Sequence, residues 1–167
     1  QQVEGGQAGD FWVYEDKVIY VHKRFVAIPL EATPGGDVSK FDRSVMDMIA
    51  VTYDEMRPGC YEPKARLADM DVNHVEASLS FPSFPRFCGQ TFTERADREL
   101  GDLCVKAYND WMLDEWWAKY PDRFVPQTLI PLWDVPEAVK EIERCAAKGS
   151  RAVLFVENPH PLGLPSF

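Results

Sequence analysis

The stretch RFVPQTLIPLWDVPEAVKEIERCAAKGSRAVLFV, residues 123–156, decides the fold class. It opens on RFVPQTLIPL, a largely apolar run that reads as a strand. Asp134 then offers a carboxylate at the N-cap of a helix predicted over Val135–Lys148. Within that helix Ala138, Ile142 and Cys145 fall on one face. Gly149 is the expected C-terminal breaker. RAVLFV supplies the next strand, and its near-continuous apolar character suits a sheet covered on both faces. Strand, helix, strand in this order is the pattern of parallel β/α units.

The same rhythm extends upstream. A long helix is predicted from Thr93 to Lys119, with Thr93 as N-cap and Pro121 halting it. Ala96, Leu100, Leu103, Ala107 and Trp111 recur at intervals of three or four and predict its buried face. PKARLADMDVNH reads as a helix opened by Pro63, and VEASLSF as a strand ended by Pro82. Before these, FWVYEDKVIYV reads as a hairpin turning at Glu15-Asp16-Lys17. Residues 32–62 are rich in loops, punctuated by TPGGD and RPGCYEP, with a short helix predicted near Arg43–Ile49. Three helix–strand repeats admit either an open doubly wound sheet or a barrel. No GxGxxG follows a strand and no Walker loop is present, so nucleotide-binding sheets lack their signature.

Composition narrows the class. With 46% hydrophobic and 27% charged residues, the 167-residue chain is that of a soluble globular domain. A net charge of −9 without a basic run argues against a nucleic-acid partner. No stretch approaches the roughly 20 apolar residues that cross a bilayer, so no membrane partner is expected. Cys60, Cys88, Cys104 and Cys145 are widely spaced and form no CxxC pair. They read as free thiols, Cys104 and Cys145 within apolar helical patterns, and fit a reducing cytoplasm.

At YEPKARLADMDVNHVEASLSFPSFPRF, residues 61–87, the pattern becomes specific. It resembles the amidohydrolase-related metal-dependent hydrolases and decarboxylases, the group containing aromatic-acid and aminocarboxymuconate-semialdehyde decarboxylases. In such proteins a helix like RLADMDVNHV leads into the second barrel strand, which often ends in an apolar-Pro-Ser turn like Phe81-Pro82-Ser83. The resemblance continues through AYNDWMLDEWWAKYPDRFVPQTLIPLWDVPEAVKEIERCAAKGSRAVLF to ENPHPLGLPSF. It implies a TIM-like (β/α)8 barrel of which this chain holds a part. Residues 1–57 would be a hairpin and loop-rich excursion of the same domain, and residues 58–167 the second to fourth β/α units. A complete barrel has eight strands and typically about 250 residues. The opening QQVEGGQAG and the closing loop after Val156 lead to the expectation of an internal piece of a larger enzyme, or one chain of a divided one. The remainder of the polypeptide or a complementary chain would complete the barrel, and a homo-oligomer is expected.

The resemblance also implies a mononuclear divalent metal, zinc or manganese, held by ligands outside this chain. His22, His74 and His160 do not match the family's customary ligand stations, and three scattered histidines do not make a site of about three ligands. Strand C-terminal ends face the active site of a barrel. This directs attention to Ser83, Phe84, Arg86 and Phe87 after one strand, Trp133 after the next, and Glu157, Asn158 and His160 after the last. Arg86 presents a planar donor fork for a substrate carboxylate, or forms a loop salt bridge. Phe84, Phe87 and Trp133 are candidates for an aromatic wall, Ser83 for orienting a carboxylate, and Asn158 and His160 for further substrate contacts. Glu157, a carboxylate after five apolar strand residues, is the catalytic candidate. Glu99, Asp102, Asp110, Asp114 and Glu115 read as the wetted face of the long helix, and Trp111, Trp116 and Trp117 as packing residues. The expected function is a metal-dependent hydrolase or decarboxylase acting on a small carboxylated or cyclic molecule. The alternative is a non-catalytic binding or regulatory subunit built from part of the same barrel.

Overall fold

A computed structural model describes residues 2–4, 7–20, 52, 54, 56–86, 89–156, 160, 163 and 164. The chain forms two compact units, Gln1–Asp69 and Met70–Phe167. In the first, β1 (Gln2–Glu4) pairs antiparallel with β2 (Gln7–Gly9), a hairpin the sequence reading did not anticipate. β3 (Phe11–Tyr14) pairs antiparallel with β4 (Lys17–Tyr20), so the expected hairpin turns at Glu15-Asp16. Glu15 takes the left-handed φ of 50° that such a tight turn requires. A 3₁₀ turn at Pro58–Cys60 follows, and Pro63 opens α1 (Pro63–Val72), within which the boundary between the units falls. The short helix expected near Arg43–Ile49 lies outside the described residues.

The second unit carries the β/α series. α1 ends with His74 in the left-handed region, φ 56°. The amide of Val75 donates to Met70 O, and that of His74 to Asp71 O, the paired bonds that close a helix C-terminus. His74 is therefore a helix-end residue rather than the start of a strand. Only Ser78–Leu79 of the expected strand pairs, as β5. Its partner is β6 (Phe124–Val125), in parallel register Ser78↔Phe124 and Leu79↔Val125. Arg123 locks this register. Its guanidinium donates to Glu76 O at 2.6 Å, Val75 O at 3.1 Å and Asp71 Oδ1 at 2.6 Å. Pro126 then interrupts the strand, because it has no N–H to give. β7 (Gln127–Leu129) resumes it and pairs in parallel with β8 (Ala152–Leu154). One extended segment, Phe124–Leu129, thus takes a parallel partner at each end. Among the described residues these small sheets make a mixed α/β arrangement without a closed barrel.

Between β5 and β6 the helical region departs from expectation twice. α2 (Gln90–Thr93) ends where the long helix was expected to begin, and α3 (Arg98–Asp110) is capped by Asp97, whose side chain accepts from Leu100 N at 2.9 Å. Thr93 instead donates its hydroxyl to Gly89 O, four residues back, as a threonine inside a helical turn does. The buried face is also not the expected one. Leu103 is 60% exposed and Trp111 is exposed, whereas Gly101, Val105 and Asn109 point inward. Hydrophobic spacing misplaced the face because the residue that anchors it, Asn109, is polar. The helix continues as a π-helical segment, Trp111–Trp117, with Met112, Leu113 and Trp116 buried. There Tyr108, Trp111, Trp116, Phe124 and Tyr120 pack in series, with ring centroids 5.3–6.3 Å apart.

α4 (Val135–Lys148) has the predicted ends. Asp134 caps it by accepting from Glu137 N at 3.1 Å, and Gly149 closes it at φ 116°. Ala138 and Cys145 are buried as expected, Ile142 is half-buried, and Glu141 completes the inward face. Cys104 is only half-buried and Cys60 is exposed. Gly149 is required twice over, since a Cβ there would lie 2.5 Å from the Trp117 ring. Gly149→Ala is expected to destabilise the chain by about 3 kcal/mol, combining left-handed strain with a steric clash. Urea unfolding of the two proteins measures it, and a change below about 0.5 kcal/mol, the range of an ordinary surface substitution, would contradict this packing.

Candidate functional site

Parallel strands deliver their C-terminal ends to a common rim, where loops carry the chemistry. Here those loops follow β5, β7 and β8. After β5, Thr91 of α2 stitches the loop down. It is fully buried, with its hydroxyl donating to Phe84 O at 2.9 Å and its amide to Pro85 O at 3.2 Å. Phe84 meets Phe92 edge-on, with ring centroids 6.1 Å apart. Ser83 is exposed, and its carbonyl accepts from the Arg86 amide at 3.2 Å. Arg86 takes φ 59°, and its Nη1 lies 3.2 and 3.3 Å from the two oxygens of Glu94. Both side chains are 49% exposed, so this pair contributes at most about 1 kcal/mol to stability.

After β7 comes Trp133, half-buried against the first turns of α3. Its indole donates to Asp102 Oδ1 at 3.1 Å, and the Arg98 guanidinium lies 5.4 Å from the ring centroid. Gly101 sits beneath it. A Cβ at Gly101 would lie 3.1 Å from the Trp133 ring and 3.7 Å from Phe92 Cβ. Gly101 thus neighbours both the Trp133 ring and Phe92, whose own ring meets Phe84. Phe92 was not singled out in the sequence, because residues 90–92 lie ahead of the predicted helix start at Thr93 and were assigned to no element. Burial pushes the Asp102 carboxyl up from its ordinary value, with the Trp133 hydrogen bond working against that shift. After β8, His160 is exposed, and its carbonyl accepts from Gly163 N at 2.9 Å. Phe87, Glu157 and Asn158 lie outside the described residues.

Behind this rim is a polar cluster that the sequence reading missed. Asn109, 1% exposed, bonds both backbone groups of Leu129. Its Nδ2 donates to Leu129 O at 2.8 Å, and its Oδ1 accepts from Leu129 N at 2.8 Å. The same Nδ2 donates to Glu141 Oε1 at 2.7 Å. Glu141, 2% exposed, also receives Arg144 Nε and Nη2, each at 2.8 Å, and the Cys145 thiol at 3.3 Å. Arg144 reaches on to Asp110 at 2.6 Å, and Lys148 bridges Asp110 and Asp114 at 2.7 and 2.6 Å. Asp110 and Asp114 are thus structural ion-pair partners. The available signals were Asn109 one turn after Val105 in a helix interior, where asparagine is disfavoured, and the Glu141–Arg144 spacing of three.

Burial alone would raise the Glu141 carboxyl, but the hydrogen bonds from Arg144, Asn109 and Cys145 prevail and hold it below its usual value. Arg144 and Lys148 likewise hold Asp110 low. Burial first, and the Glu141 charge second, push the Cys145 thiol up to about 11, so it is protonated and unreactive near neutrality. Among the described residues, no three His, Cys, Asp or Glu side chains stand together in a way that holds a metal ion. Those residues do not fit a resident metal. Among the described residues, no helix is long and apolar enough to cross a membrane.

A family model described as amidohydrolase matches residues 17–166, most of the chain. The chain belongs to the amidohydrolase family. That membership implies a TIM-barrel fold and, at the level of the family, an enzyme of hydrolase or decarboxylase type whose relatives commonly use divalent metals. No curated protein matches the chain.

The cluster has a pH signature. Lowered carboxylates stabilise fully above their unfolded values, about pH 4, and lose that contribution as pH falls through the lower folded values. Lys148, raised by its bonds to Asp110 and Asp114, stabilises fully below its unfolded value, about 10.4, and loses this as pH rises through the folded one. Urea midpoints should therefore fall in acid, and should also fall above about pH 8.5, where the Cys145 thiol ionises in the unfolded chain but stays protonated in the folded one. In Glu141→Gln the acid fall should be shallower. An unchanged acid slope in that variant would remove Glu141 as its source.

Proposed function

We propose that this chain forms part of the wall and rim of an amidohydrolase-type barrel that hydrolyses or decarboxylates a small carboxylated or cyclic substrate. The observation that carries this reading is the pair of aromatic residues Phe84 and Trp133 following parallel strands, with the Arg98 guanidinium over the Trp133 ring, inside the family match. An aromatic wall with a cationic border suits a planar substrate bearing a carboxylate, as in the aromatic-acid decarboxylase group. Arg86 would exchange Glu94 for the substrate carboxylate, a trade between like groups that costs little at a half-exposed site. Arg98 would remain on the Trp133 face. Trp133 would orient the substrate ring by stacking while Asp102 holds its indole. Glu157, Asn158 and Phe87, outside the described residues, are retained as candidates on the same rim.

The described residues supply parallel pairs from three stations, and a barrel takes eight strands. We therefore include further polypeptide, from the same or a complementary chain, as the rest of the wall, and self-association of the completed enzyme in the cytoplasm. A divalent metal, zinc or manganese, belongs to residues other than the described ones in this reading. Dialysis followed by elemental analysis should find near-stoichiometric metal in the completed enzyme but not in residues 1–167 alone. Tight stoichiometric metal in the short chain would refute this placement.

The test of reaction class is a panel of aromatic acids, lactones and amides assayed with the completed enzyme. Turnover confined to neutral amides would sink the carboxylate reading. Within that panel, Arg86→Met should reduce kcat/KM for an acidic substrate by about thirtyfold, the loss of roughly 2 kcal/mol from one charge-assisted bond. Thermal stability and metal content should barely change. Unaltered kcat/KM would remove Arg86 from the site.

A further inference from the structure

We infer that Asn109 is a positioning residue, one that fixes the Trp133 loop without touching any substrate. The inference rests on the proposed function only in treating that loop as part of the substrate surface. Four residues, Ile130–Trp133, join Leu129, the last residue of β7, to Asp134, the N-cap of α4, and both ends of this short bridge lead back to Asn109. At the strand end, the Asn109 carboxamide holds the N–H and C=O of Leu129, the residue immediately before the loop. At the helix end, Asp134 caps α4, and Glu141 two turns later accepts from the same Asn109 Nδ2. The middle of the bridge is tied to α3 as well, where Asp102, seven residues before Asn109, accepts from the Trp133 indole.

The connections therefore close a ring: α3 to β7, β7 through the loop to α4, and α4 back to α3. A hydrophobic residue at position 109 would fill the space, but it could satisfy neither group of Leu129 and would leave Glu141 without its amide donor. An aspartate is more informative. It keeps an acceptor for Leu129 N, loses both donations, and sets a second carboxylate against Glu141. The side chain thus acts as a surrogate strand peptide on one side and an amide donor to a carboxylate on the other, a pairing of roles that asparagine fulfils.

The test uses uniformly ¹⁵N-labelled chain, with the Trp133 indole resonance assigned from Trp133→Phe. Asn109→Asp is compared with Val105→Ala, which opens a cavity one turn earlier on the same face. The variants are examined at urea concentrations giving equal distance from their midpoints. Asn109→Asp should displace the Trp133 indole resonance and speed amide exchange across residues 129–134 at least tenfold relative to Val105→Ala. Equal effects in both variants would reduce Asn109 to ordinary core packing and overturn the inference. The unaltered chain gives a second measurement should Asn109→Asp not fold. Its Leu129 amide and Trp133 indole protons should exchange through one shared opening, with the same urea dependence. An indole proton exchanging more than tenfold faster than the Leu129 amide, after correction for intrinsic rates, would also overturn it. No substrate enters either measurement, so failure here is separate from failure of the substrate panel.

Discussion

A buried strand end must find partners for its backbone groups, and at Leu129 those partners belong to one side chain. An orphaned peptide N–H or C=O in the interior costs about 1–3 kcal/mol, so the demand is strong enough to choose a helix face. With Asn109 turned to Leu129, Val105 and Gly101 necessarily turn inward on the same side of α3, and Leu103 is left facing water. The remaining donor capacity of the carboxamide makes a place for Glu141. A buried carboxylate in turn demands a cation, which Arg144 supplies from its own helix. Satisfying two backbone atoms thus fixes the rotation of α3 and the polar content of α4.

The contrast between the two helices shows which physical signals a sequence displays. α4 is legible from end to end because its boundaries are local. Asp134 and Gly149 act on backbone within a few residues of themselves, and a chemist can read caps without knowing the fold. The face of α3 is settled by a strand twenty residues further along, so counting apolar positions selected Leu103 and Trp111 in error. Its start was misplaced for a different reason: Thr93 and Asp97 both have capping side chains, and the carboxylate took the role. The π-helical segment has no comparable signal in WMLDEWW.

The rim is legible in part for the same reason. Residues after strands were identifiable as a class: Phe84 meets Phe92, and Trp133 packs against Gly101. What joins them is Phe92, placed by a turn of helix too short to announce itself, and Gly101, whose missing side chain admits the Trp133 ring. Arg86 has Glu94 as its partner, a pairing eight residues apart across a left-handed turn that spacing rules do not anticipate. The order of segments, more than any short motif, carried the family resemblance, and the family match spans those same segments.

Pro126 gives the middle strand a fault in its row of donors, and this bears on how the chain avoids misassembly. Parallel pairing forms late and between distant segments, so sliding by two residues, which keeps every side chain on its proper face, is the error most difficult to detect. A proline converts that slide into a detectable one, since a neighbouring carbonyl brought opposite residue 126 finds no hydrogen to accept. The native arrangement avoids the conflict by dividing the strand's partners, β5 before the proline and β8 after it. The imino acid thus disfavours that slide by leaving a carbonyl of the neighbouring strand without a donor.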